Sequence, residues 1–507
     1  VSSVIAAAML VQAKPSTILW TDVTDRTIGE TKYWTNKVEI ADINGDGRYD
    51  ILFANGGDYS TPGTPEPNQA FVNNGPDQRF SDRSAEVFGP TPDIARVIKA
   101  RDFSGDGVVD VVVGTTYQTQ SRLYLGTGGG RFQEVTATHL PQRPASFGDL
   151  EPGDVDGDGD LDLVLADWGP GNNMSNIGGR TRLWLNDGAG KFTDATDTKM
   201  PEVLVRFSWE LEVVDVENDY DLDVVISCKR CPGSLLFRND GSGKFTDDSR
   251  FMPQYTNNYE FEAMDLDGDT FLDLVTINDG EIVAERGGDR REHVFRNDGK
   301  GRFRDATTLW WPPESNLGED DNNIAYLDYD NDGDADFVMG SLSGPDRLLV
   351  NDGKGRLTMI RDVFDGPPTP GTLGLALADL DGDGRMDAIQ AQGENPQATS
   401  ERIHFGTGLA KDTAPPSITI VNLLAASGTA PAMLRARIHD RKSPLLDGEL
   451  KDVVAEWTTP QGPRRAAMTW YGEYLWRVPV PADIASDTPY QVCATDAAGN
   501  RACAGAK

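Results

Sequence analysis

Positive charge is scarce in this 507-residue chain: 47 Lys and Arg face 81 Asp and Glu, a formal net charge of −34. Nucleic-acid sites need a basic footprint, so phosphate-backbone binding is disfavoured, and anionic membrane surfaces with it. Histidine is scarcer still. His139, His293, His404 and His439 are widely spaced and make no zinc-ligand pattern. The chain has no G-x-S-x-G elbow, no H-E-x-x-H pair and no phosphate-binding glycine loop. No apolar run approaches the ~20 residues of a membrane-spanning helix. The nearest is the stretch from Val4 to Ala13. It reads as the apolar core and small-residue cleavage site of a secretory signal, with residues 1–14 as its remnant. A plain N-terminal helix is the alternative. Secretion is the expectation, to the extracellular space, the periplasm or the cell surface.

What the chain does have is an acidic nonapeptide, D-x-D-x-D-G-x-x-D, in seven copies. They account for 29 of the 81 acidic residues. Side-chain oxygens at positions 1, 3, 5 and 9 around a tight turn suit a hard cation that takes six to eight oxygens, which is Ca²⁺. The expected ligands of the first copy are Asp42, Asn44, Asp46 and Asp50, and of the second Asp102, Ser104, Asp106 and Asp110. The third offers Asp154, Asp156, Asp158 and Asp162, and the fourth Asp215, Glu217, Asp219 and Asp223. The fifth has Asp265, Asp267, Asp269 and Asp273, and the sixth Asp328, Asp330, Asp332 and Asp336. Asp379, Asp381, Asp383 and Asp387 complete the seventh. The third, sixth and seventh keep four acids and the turn glycine. In the fifth, Thr270 replaces that glycine; in the fourth, Asn218 and Tyr220 replace both glycines, so this copy fits a cation least. An EF-hand is excluded by the missing Glu at position 12 and the missing helices.

The copies start 60, 52, 61, 50, 63 and 51 residues apart, which means a repeat architecture. Each is followed by a short apolar run, such as Ile51-Leu52-Phe53 or Val111-Val112-Val113, that reads as a strand. A second strand ends in a turn such as Asn186-Asp187-Gly188 or Asn297-Asp298-Gly299, whose Asn and Gly tolerate positive φ. A third follows, as in Phe192-Thr193-Asp194, and a fourth leads into the next nonapeptide. Four antiparallel strands in each of seven repeats predict an all-β, seven-bladed β-propeller over residues 15–411. The seventh repeat lacks its last strand, and a matching segment, Trp20-Thr21-Asp22-Val23-Thr24, stands at the N-terminal end. The ring is therefore expected to close through it, leaving no bare blade edge.

These D-x-D-x-D-G-x-x-D and N-D-G-x-G-x-F-x-D elements resemble the FG-GAP/VCBS propellers, the group that includes integrin α heads. The resemblance covers roughly residues 15–411 and implies the fold and calcium. It does not imply an activity, since the group spans adhesion receptors, carbohydrate binders and scaffolds of polysaccharide lyases.

Asp412 to Pro416 reads as a linker, and residues 417–507 as about seven short strands of an Ig-like or fibronectin-III-like β-sandwich. Examples are Ile418–Val421, Leu434–Ile438 and Tyr490–Cys493. Such a module is most often a spacer. The cysteines form two close pairs, Cys228 with Cys231 and Cys493 with Cys503. Two structural disulfides are expected. A redox C-x-x-C is the alternative for the first pair, but such motifs sit at helix starts and this one does not.

The longer repeats gain residues at Gly56 to Gln69, Trp168 to Gly179 and Asp279 to Arg291, between the second and third strands. These loops should emerge opposite the nonapeptides and form a ligand face. Its candidate residues are Tyr59, His139, Trp168, Tyr255, Tyr259, Arg286, Arg290, Arg291, Trp310 and Trp311. Exposed aromatics beside arginines suit sugars and carboxylates. The expectation is a monomeric module that binds an extracellular glycan or protein. The alternative is a polysaccharide lyase on the same scaffold, with Tyr59, His139, Tyr259 and Arg286 as candidate base or carboxylate neutraliser.

Overall fold

The computed structural model describes residues 18–505 except 58–62, 77–78, 172–175, 230, 232, 279, 281–290, 394–398, 426–430 and 444, and omits the side chains of residues 259 and 420. The expected signal remnant lies outside the described residues, as do Tyr59, Arg286, Arg290 and the side chain of Tyr259.

Each repeat folds as a four-stranded antiparallel sheet. In the first, the strands are Thr35–Ala41, Asp50–Asn55, Gln69–Val72 and Ser81–Asp82, in that order. Among the described residues six sheets follow this plan. A seventh joins Thr372–Ala378, Asp387–Gln392 and Arg402–Phe405 to Thr21–Asp22 from the other end of the chain. Thr21 pairs with Phe405 and Asp22 with His404. The innermost strand of the first sheet touches that of the second and that of the seventh, and contacts continue from sheet to sheet between.

The core is divided into wedges between neighbouring sheets. Ile51, Phe53 and Phe71 of the first sheet pack against Ala376, Ile389 and Ile403 of the seventh. Ala54 and Ala70 of the first pack against Val111 and Val113 of the second. A strand between two wedges is covered on both faces, so its sequence runs apolar without alternating, as in Ile51-Leu52-Phe53. The whole is an all-β, repeat-built β-propeller.

Residues 417–505 add two more four-stranded sheets. One orders Ser417–Leu424, Met433–His439, Leu475–Pro479 and Thr469–Gly472; the other Gly462–Ala467, Val454–Thr459, Tyr490–Thr495 and Arg501–Gly505. Cys493 and Cys503 face each other across the last two strands and are bonded. Cys228 and Cys231 are bonded in the turn between the second and third strands of the fourth sheet.

The C-terminal segment is not a detached spacer. Its Leu434, Ala436 and Tyr474 share one buried cluster with Met264, Tyr326 and Phe337 of the propeller. It sits on the nonapeptide end. The Tyr471 carbonyl accepts the Asp154 N–H at 2.8 Å, the Tyr471 hydroxyl donates to Tyr220 O at 3.0 Å, and that of Tyr474 donates to Ala263 O at 3.2 Å. Even the linker is pinned: Asp412 N–H donates to Gly384 O at 2.8 Å and Thr413 N–H to Asn331 Oδ1 at 2.7 Å.

Candidate metal centres

Each nonapeptide bridges the first and second strands of its sheet, and its ninth residue opens the second strand. Position 1 organises the turn. In the seventh copy, Asp379 Oδ1 accepts the N–H of Gly382 at 2.9 Å and of Asp383 at 3.0 Å, while Oδ2 accepts that of Gly384 at 2.9 Å. Convergent N–H groups require left-handed backbone at positions 4 and 6, and Gly382 and Gly384 have φ of 76° and 84°. The fourth copy keeps this turn without glycine: Asn218 has φ 63° and Tyr220 φ 71°. A bulky residue there is strained. Tyr220 is held by burial and by Arg435, 4.7 Å above its ring.

Position 9 anchors the loop to the sheet. Asp162 Oδ2 accepts Val155 N–H at 3.2 Å and Oδ1 accepts Asn186 N–H at 2.9 Å. The same pair of bonds recurs at Asp50, Asp223, Asp273, Asp336 and Asp387. Burial pushes these carboxyls up: Asp50 to about 7, Asp162, Asp273 and Asp387 to about 8, and Asp336 to about 9. A bound cation would act in the opposite sense.

Among the described residues, carboxylate oxygens converge within 4.8 Å in four of the loops, through Asp154, Asp156 and Asp162; Asp265, Asp267 and Asp269; Asp328, Asp330 and Asp332; and Asp379, Asp381 and Asp387. All-oxygen donors on a preformed turn fit a hard metal ion. In the first two loops Asn44 and Ser104 stand in for acids. The fourth loop is served by arginines instead. Buried Arg437 of the C-terminal segment reaches Asp215 Oδ2 at 3.2 Å, and Arg238 reaches Glu217 at 2.7 Å. Arg477 likewise touches Asp154 of the third loop. A further cluster, Asp412, Asp440 and Asp496, lies outside the repeats and holds its own cation: the Lys442 ammonium is 2.9 Å from Asp440 and 3.3 Å from Asp412.

The asparagine of the N-D-G turn does more than permit positive φ. Asn186 Nδ2 donates to Phe103 O, in the nonapeptide of the preceding sheet, at 2.8 Å. Asn239 bonds Val155 O at 2.7 Å, Asn297 bonds Val216 O at 2.8 Å, Asn351 bonds Leu266 O at 2.9 Å, and Asn73 bonds Leu380 O at 2.7 Å. Each acceptor is position 2 of the neighbouring loop. Gly126 and Gly406 occupy the equivalent place in the second and seventh sheets, where the clamp is absent. The recurring Asn was visible in the sequence, but its reach into the next repeat was not.

Several expected ligand-face residues are elsewhere. Trp168 is buried, stacked on Phe207 at 4.7 Å between ring centroids. Trp310 and Trp311 are buried too, Trp311 edge-on to Phe337. Indoles in loops that pack down on the sheets join the wedges, because burying such rings is worth more than exposing them. His139 is half-buried at the end of the short helix Thr136–His139, its Nδ1 2.8 Å from Thr138 Oγ1. The residues that do gather lie on the fifth sheet, opposite the nonapeptides. The Tyr255 hydroxyl donates to Asp305 Oδ2 at 2.6 Å, and its ring stacks on His293 at 3.9 Å. Arg291, nearby, donates to Trp311 O at 3.1 Å. The Asp305 carboxylate pushes the Tyr255 phenol up to about 12, and burial pushes His293 down to about 4.

Fold and loops together define a β-propeller carrying acidic turn motifs. The FG-GAP-like repeat family matches four segments, residues 42–113, 102–165, 279–339 and 328–389. No curated protein matches the sequence. Among solved structures, the chain is similar to an ancestral GH74 enzyme at 12% identity and a TM-score of 0.45, over 76% of this chain and 49% of that one. The chain thus spans about half the length of that enzyme, and so remote a likeness carries no argument about activity.

Proposed function

We propose that the chain is a seven-bladed, calcium-loaded propeller of the FG-GAP/VCBS kind, capped by an Ig-like module, and that it acts outside the cytoplasm as a binding module. The observation that carries this reading is the placement of the C-terminal segment. It occupies the nonapeptide end, so the turns that join second to third strands leave the sheets at the other end, as the described parts of the first and third repeats do. The nonapeptides then hold calcium and stiffen the ring, while the opposite end meets a glycan or protein. Position 1, 3, 5 and 9 oxygens would ligate the ion, whose charge offsets the buried position 9 carboxylates.

On that end Tyr255, His293, Asp305 and Arg291 supply donors, acceptors and a flat ring. The state of Tyr255 favours binding over lyase chemistry. A phenol that donates to Asp305 at neutral pH serves as a hydrogen-bond donor, not as a base. The test is a glycan array in calcium and in chelator, with uronic-acid polymers also assayed for lyase absorbance. Calcium-dependent retention that is lost in Tyr255→Phe and Arg291→Ala supports the reading. Turnover of a uronic-acid polymer, or binding untouched by both substitutions, overturns it.

A further inference from the structure

The first strand of each sheet alternates its side chains between a wedge and the central axis. Residues of all seven sheets line a polar chamber of about 70 Å³, among them Lys37, Glu39, Lys99, Asp149, Glu151, Glu210, Glu212 and Glu262. Charges inside a protein need partners. Three acids have them: Lys37 pairs with Glu210, Lys99 with Glu151 at 2.5 Å, and Arg101 with Glu39 at 2.9 Å. Among the described residues Asp149, Glu212 and Glu262 make no ion pair, and the C-terminal segment adds a fourth such acid, Glu473, with Lys99, Arg101 and Arg437 in its surroundings.

Glu473 is placed there by a tight device. It lies in the turn between Thr469–Gly472 and Leu475–Pro479, with a φ of 39° that a non-glycine residue rarely adopts. The preceding Gly472 has no room for a side chain, since a Cβ would come 2.4 Å from Leu222 Cδ1. Tyr471 and Tyr474, on either side, bond Tyr220 O and Ala263 O and drive the turn into the mouth of the chamber. The Ser443 hydroxyl lies beside Glu262, and that of Tyr474 lies beside Glu473 while donating to Ala263 O. Glu212 is 92% buried, lines the chamber, and has neither a hydrogen bond nor an ion pair among the described residues. The charges that act on it most strongly are those of Glu473, Glu262, Glu151 and Glu210, all of its own sign.

A strained turn that adds a fourth acid without an ion pair leaves more carboxylates than cations in the lining of this chamber. The geometry points to a second kind of metal site, a hydrated divalent cation on the propeller axis between Glu212, Glu262 and Glu473. Hard carboxylate oxygens select magnesium or calcium. These three do not converge within 4.8 Å as the nonapeptide carboxylates do, so the ion keeps part of its water shell, for which the chamber has room. Because Glu473 belongs to the C-terminal segment, this ion ties that segment to the propeller, and the site is complete only when the two are docked.

The experiment is a metal count on the full chain by native mass spectrometry, in calcium and separately in magnesium, for the parent, Glu212→Gln and Glu473→Gln. The expected result is one ion fewer per chain in each variant, in whichever metal the parent site accepts. Melting in that metal should fall relative to the parent, and trypsin should cut residues 406–416 faster. An unchanged count, with variants that melt higher than the parent in metal and in chelator alike, overturns the site, because relief of bare repulsion predicts that sign. Glu262→Gln repeats the test should either variant fail to fold. The outcome is separable from nonapeptide loading: with empty nonapeptides the parent would still carry the axial ion and the variants none.

Discussion

The fourth and seventh nonapeptides have the same backbone and answer the same electrostatic problem differently. Both place a buried aspartate at position 9 and gather backbone N–H groups on the aspartate at position 1. The seventh does so with two glycines and with Asp379, Asp381 and Asp387 drawn together. The fourth does so with Asn218 and Tyr220 in left-handed conformations, Arg437 against Asp215 and Arg238 against Glu217. A turn that needs glycine by local sterics is thus held without it where a docked segment supplies packing and a guanidinium. In this protein a left-handed turn and a convergence of carboxylates are separable properties of one motif.

The most damaging way to break the comparison is to remove residues 15–26. The seventh sheet would lose Thr21–Asp22 and the buried Trp20, which stacks on Phe364 at 4.8 Å, while the fourth sheet is untouched. Aggregation in size-exclusion chromatography is the expected outcome. A variant that stays monomeric and melts like the parent would show that ring closure does not depend on this strand.

Arg437→Met comes next. It leaves Asp215 buried beside Asp219 without its guanidinium, and should cost about 3–5 kcal/mol in denaturant titration. Arg385→Met in the seventh loop removes a more exposed pair with Asp383 and should cost about 0.2–1 kcal/mol. Equal losses would mean that Arg437 does no more for the fourth loop than Arg385 does for the seventh.

The metal difference is read directly by Asp381→Ala and Asp219→Ala. Native mass spectrometry in calcium should count one ion fewer for the first and no change for the second. A lost ion in both would show that the fourth loop is loaded despite its arginines. Asn297→Ala is milder. It frees Val216 O and Leu272 O, now bonded at 2.8 and 3.0 Å, and should cost about 1–3 kcal/mol by chemical denaturation. No change in stability would demote the clamp between the fourth and fifth sheets.

The last expected effect is on pH dependence and lies next to the third strand of the seventh sheet, away from the nonapeptides. Burial pushes Glu401 up to about 8, and Thr35 Oγ1 donates to it. A carboxyl whose folded pKa exceeds its unfolded value keeps a proton in the folded chain that the unfolded chain has released. Stability from this group therefore falls as pH rises from about 4 toward 8. Glu401→Gln should flatten the decline in melting temperature between pH 5 and pH 8. An identical slope in the variant would remove Glu401 from the account.

Much of this was legible in the residues. Seven nonapeptides at a steady spacing, apolar runs without alternation and a missing last strand matched by Trp20–Thr24 led to the sheets and to the pairing of the two chain ends. These are local or repeated signals, and repetition multiplies weak ones. The long loops at 56–68 and 168–181 do join second and third strands, yet Trp168 was misread as exposed because loop position says nothing about which way an indole folds down. Asn186, Asn239 and Asn297 were read as turn formers. Their second role depends on a carbonyl some eighty residues away.

The sequence by itself determined the strand count per repeat, the acidic turns and the partners of the four cysteines, because each depends on residues a few positions apart or on a period. Tertiary structure alone decided that the C-terminal segment covers the nonapeptide end, that Arg437 serves the fourth loop, and that Glu212, Glu262 and Glu473 face one chamber. Alternation along a strand tells which side chains share a face. It does not tell whether that face meets solvent, a wedge or an axis. Only closure of the ring turns the E-x-E pattern of Glu210 to Glu212 and Glu260 to Glu262 from an ordinary polar face into buried charge.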